Sequence, residues 1–237
     1  MSVEALMKPP TPSMASAISF DVGRRLVDRL TIFSDAVVAI AITLLAIDLP
    51  VPTGHSVSQF WASVRNNSGH YAAFFISFVA IAAAWSHHHD TFGYARSMDS
   101  RLRTLNFAWL FTIVLNPFAT KLLTSQHHAS LSVHALQFGF YALVQALNSA
   151  ALLAILHHMV THSDAPGIPS SVVAGATWQT AGTLVGFGLS IPVFFATRYG
   201  WALWFAGPLV VQQVYRARHR ARPKPAGAQP PPKRKYR

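Results

Sequence analysis

The chain has 237 residues, 51% of them hydrophobic and only 11% charged. Soluble domains carry roughly 25% charged residues, so a soluble globular protein is excluded at once. There is no cysteine, which excludes a disulfide framework and a thiolate metal site. The net charge of +11 is gathered largely at the C-terminal end.

Runs of roughly 17–25 apolar residues predict an all-α, multi-pass membrane protein. Six spans are expected, at about 31–49, 71–93, 103–123, 131–157, 172–196 and 199–215. Before them, residues 1–23 hold no long apolar core and no cleavable signal pattern. They read as a mobile N-terminal arm, and 24–215 as the transmembrane domain.

The first span is uncharged from Ala36 to Ile47 and holds one hydroxyl there, Thr43. It is preceded by Arg29 and Asp35. An ionised group inside a bilayer costs roughly 2.5–3.5 kcal/mol on insertion scales, so it pairs, faces a polar cavity or does work. Ile40, Thr43, Leu44 and Ile47 follow the i, i+3, i+4, i+7 spacing of one helix face. Periodicity alone leaves two uses for that stripe, packing on a neighbouring helix or lining an ion path.

The second span carries Trp85-Ser-His-His-His89-Asp90. Consecutive histidines are turned by about 100° from one another, so this run does not make a three-ligand metal site. One of them is expected to face the bundle and bond the Ser34–Asp35 cluster. No metal and no cofactor is expected. In the third span Asn106 lies one turn in, and Asn116-Pro117-Phe118 closes it. Pro117 and Pro192 are expected to kink or end their helices. Gly182, Gly186 and Gly188 give the fifth span a small-residue spacing suited to close packing. Only Arg198 and its neighbours separate the last two spans, so a tight helical hairpin is expected.

Residues 216–237 hold nine Lys/Arg and no acid, interrupted by prolines. Such a segment reads as a disordered basic tail. Cations directly after a membrane helix mark the cytoplasmic side and touch anionic lipid, so no specific nucleic-acid partner is expected. With both termini inside, sixteen of the nineteen Lys/Arg fall on the inner side, as the positive-inside bias requires. No nucleophile elbow, phosphate loop or usefully spaced carboxylate pair is present, and an enzyme is not expected.

Arg29-x-x-x-Phe33-Ser34-Asp35, followed by Ala-Ile-x-x-Thr43-Leu44, resembles the signature of the transmembrane protein 175 family in its short bacterial form. Trp85-x-x-His88, Asn106 and Pro117-Phe118 extend the resemblance, which covers about residues 24–123. It implies a six-helix subunit that assembles as a homotetramer in the cell membrane and passes potassium and other monovalent cations. By position it implies a pore lined by the first helix, with Ile40 the narrowest hydrophobic ring. Thr43 would add a hydroxyl ring one turn on, and Leu44 and Ile47 would continue the apolar constriction outward. Arg29, Phe33, Ser34 and Asp35 would tie the first helix to its neighbours through Trp85, His88 and Asn106. Where some members have a hydroxyl just before the Ile40 position, this chain has Ala39. A carrier or proton relay using Asp35 and the second-span histidines is the rival class. Carriers usually show inverted repeats and paired broken helices, and the sequence shows neither.

Overall fold

In the computed structural model, residues 12–125, 130–162 and 170–220 are described. They form seven helices and no strand: α1 Pro12–Ile47, α2 Val57–Asn66, α3 Ser68–Phe92, α4 Ser100–Thr124, α5 Leu131–His162, α6 Ser170–Ala196 and α7 Ala202–Arg220. The basic tail expected from residue 216 is helical as far as Arg220, and 221–237 lie outside the described residues.

Five helical segments are long and apolar enough to cross a membrane: Asp21–Ile47 within α1, then α3, α4, α5 and α6. The protein is therefore an all-helical, multi-pass membrane protein. The sixth expected span falls on α7, whose apolar part, Ala202–Val214, is shorter than those of the other five.

α1 begins far earlier than the expected span. Pro12 stands at its first position, where proline's missing N–H costs nothing and its fixed φ suits a helix. Its 36 residues at about 1.5 Å each outreach a roughly 30 Å hydrocarbon core, so one end projects beyond it. The helix stops just before Leu49-Pro50, where proline disfavours helical backbone. α2 was not expected. It is ten residues long, has no buried residue, and is capped by the Ser56 hydroxyl, which accepts the Gln59 N–H. α4 and α6 run through Pro117 and Pro192 without ending.

α1 packs against α3 and α4, α5 lies between α4 and α6, and α6 pairs with α7. Two apolar clusters follow. One joins Val38, Ala41 and Leu45 of α1 to Ile81, Trp109, Ile113 and Ile155. The other joins Tyr141, Phe187, Phe194 and Trp204.

The α6–α7 hairpin depends on glycine. A Cβ on Gly186 would meet the Leu203 carbonyl oxygen at 2.6 Å, and one on Gly207 would meet Gly186 Cα at 2.5 Å. A Cβ on Gly188 would meet nothing within 4 Å. Two of the three expected glycines, 182 and 186, thus face α7, and the third does not. Gly186→Ala should lose about 1–3 kcal/mol to overpacking, as a lowered melting temperature in detergent, and Gly188→Ala should melt like the parent. Equal melting of the two variants would mean that this contact does not hold the hairpin.

Candidate functional site: an exposed stripe on the first helix and its anchor

The two faces of α1 differ sharply. Val27, Ser34, Val38, Ala41 and Leu45 are buried against α3 and α4. Turned away from them, Ile40 is 59% exposed, Leu44 43% and Ile47 78%, and Thr43 is exposed between them. The Thr43 hydroxyl donates to the Ile40 carbonyl oxygen at 2.8 Å. Its proton is thereby satisfied within the helix, and its lone pairs remain on the exposed side. The stripe is therefore an uncharged surface with one hydroxyl oxygen, that of Thr43.

The anchor consists of two arms. In the buried arm, Asn106 Nδ2 donates to Ser34 Oγ at 3.0 Å, and Ser34 Oγ donates to the Leu30 carbonyl oxygen at 2.9 Å. Asn106 Oδ1 is then the acceptor for His88 Nε2, 2.7 Å away, which assigns the proton to Nε2. His88 is held flat between Trp109, with ring centroids 3.9 Å apart, and Phe92, 4.3 Å apart. In the outer arm, Trp85 Nε1 donates to Asp35 Oδ1 at 2.8 Å. The Phe33 ring meets Phe107 edge-on at 6.2 Å.

The structure thus joins Ser34, Asn106 and His88 in one chain of bonds and pairs Asp35 with Trp85. Arg29 is exposed and, among the described residues, its side chain has no hydrogen bond or ion pair. His87 and His89 do not converge with His88. No group of three metal-binding side chains occurs among the described residues. At the far end, the Lys121 ammonium bonds Asp48 at 2.8 Å, tying the ends of α1 and α4. At the near end, Asp99 caps α4 by accepting the Leu102 N–H, and its other oxygen meets His158 Nε2 at 2.7 Å. That backbone bond, with His158 behind it, holds the Asp99 carboxyl below its ordinary range.

A second polar ladder lies deeper. Asn148 Nδ2 donates to Thr112 Oγ1, Gln145 Nε2 to Asn116 Oδ1, and Thr120 Oγ1 to Ser77 Oγ, which in turn donates to Tyr141. Of these only Asn116 was visible in a sequence motif. The others are isolated polar residues in apolar helices.

Comparison with known proteins places this arrangement. The family model described as "Endosomal/lysosomal potassium channel TMEM175" matches residues 29–117. The matched stretch begins at Arg29 and takes in the whole stripe and both arms. A potassium channel of Streptomyces collinus is 28% identical over 171 residues, covering 71% of this chain and 82% of that one. Over residues 29–117 the chain is similar to the TMEM175 family. A potassium channel of a Chryseobacterium species is 30% identical over 136 residues, covering 57% of this chain and 66% of that one. The TMEM175 fold also accounts for the helical arrangement. The crystal structure of a lysosomal potassium-selective channel TMEM175 homologue from Chamaesiphon minutus matches with a TM-score of 0.64 at 22% identity. That match covers 84% of this chain and all of the other. A single-site variant of the potassium channel MtTMEM175 matches with a TM-score of 0.58 at 17% identity, covering 81% and 93%.

Proposed function

We propose that this chain is the subunit of a potassium-permeable cation channel, in which four copies surround a pore lined by α1 and closed at an Ile40 ring. The observation that carries this reading is the uncharged, exposed stripe of Ile40, Thr43, Leu44 and Ile47, on a helix whose opposite face is buried. One subunit encloses no path of its own, so conduction requires closed symmetry. A ring of isoleucines around an axis blocks ions by dewetting and opens when α1 moves slightly outward. Ions move passively down their gradient, potassium and other monovalent cations alike. Conduction is assigned to residues 24–215, with α7 as the sixth span and both termini on the cytoplasmic side.

The rival carrier reading uses Asp35 and the second-span histidines as titrating groups, and His88 is the one of them bonded into the anchor. Asp35 accepts from Trp85, and His88 is buried between two rings and bonded to Asn106. Both lie off the exposed stripe, which favours a structural duty. Single-channel recording of the purified protein in planar bilayers under a potassium gradient tests the proposal. Discrete ohmic steps that reverse toward the potassium equilibrium potential are expected. Saturating turnover without steps, or silence from an assembled protein, overturns it.

A further inference from the structure

We infer that the groove between α1 and the start of α4 seats the phosphate headgroup of an anionic phospholipid, held by Arg29 and Arg103. The groove has a volume of about 390 Å³ and is lined by Arg29, Phe33, Asp99, Arg103 and Phe107, among others. Its apolar wall includes the Phe33–Phe107 edge contact. Its acidic member, Asp99, is turned to other partners, one oxygen taking the Leu102 N–H and the other meeting His158. Among the described residues neither Arg29 nor Arg103 has an ion-pair partner, so the groove carries two unpaired guanidinium groups against one carboxylate, beside aromatic surface. That is the chemistry of an amphiphile with an anionic head. Basic pockets between membrane helices at the cytoplasmic face take such heads, and guanidinium groups match phosphate geometry.

The test uses the purified full-length protein in detergent, with phosphatidylglycerol, phosphatidylcholine and inorganic phosphate added in separate titrations. Bound ligand is counted by native mass spectrometry. Phosphatidylglycerol should bind in preference to phosphatidylcholine. The Arg29→Gln/Arg103→Gln double variant should weaken that binding about thirtyfold, as two cations at about 1 kcal/mol each would give. The Arg96→Gln/Arg101→Gln control, outside the groove, should keep it. Equal loss in both pairs overturns the site, as does inorganic phosphate displacing the lipid and binding equally well. Loss of the oligomer with lipid binding retained overturns it too, by making the groove a contact between copies. Recording from the same wild-type preparation separates the two readings: silence with selective lipid binding intact refutes the channel and leaves the groove standing.

Discussion

Ile40→Asn is expected to raise the resting cation current, and Ile40→Trp to abolish it. A dry apolar ring excludes ions because a hydrated cation must shed water with nothing to replace it. An amide at that position supplies donors and acceptors and keeps the ring wet. Current should rise about tenfold for each 1.4 kcal/mol of barrier removed. Indole at the same position fills the axis instead. The side chain is 59% exposed on the isolated subunit, so neither change disturbs the packing of α1 on α3 and α4. Ala46→Asn, also exposed on α1 but turned away from the stripe, should leave the current as it was. Unchanged single-channel currents in both Ile40 variants, from protein that assembles and inserts, would remove Ile40 from the ion path.

The spans α3 to α6 were legible because long uncharged runs have one physical meaning in a chain with so few charges. The first eighteen or so residues of α1 were not. Their Ser, Asp and Arg content gives no hydropathy signal, and the helix there follows from continuity with the apolar half and from Pro12. The amphipathic α2 escaped notice because ten half-polar residues resemble a loop. Within the anchor, Ser34 and Asn106 stood out as polar groups in apolar surroundings. Which of three consecutive histidines faces inward could not be read, because that depends on helix rotation. Packing decides it: only His88 lies between the Trp109 and Phe92 rings. The Thr112–Asn148 and Asn116–Gln145 bonds were hidden for a related reason. A lone amide in an apolar helix announces a partner but not its address, and here the partners lie on α5.

Asn106→Ala should be the most destabilising single change in the anchor. Asn106 is fully buried and is the only link between His88 and Ser34 in the chain of bonds described above. Its removal strands the His88 Nε2–H in an apolar sandwich and leaves Ser34 Oγ with only its bond to Leu30. A buried donor or acceptor left unsatisfied costs about 1–3 kcal/mol, so a loss of about 2–4 kcal/mol is expected across the two groups. The consequence is mechanical as well as energetic, because this link fixes the rotation of α1 and hence where Ile40 points. Asp35→Asn makes the matching comparison. It keeps an acceptor for Trp85 in a half-exposed position and should cost far less. Thermal unfolding and oligomer mass in detergent should therefore separate the two, with Asn106→Ala melting lower and shedding subunits while Asp35→Asn holds together. If Asn106→Ala melts like the parent, stays assembled and changes only the ranking of permeant ions, Asn106 faces the ion path and the division between anchor and pore face is wrong.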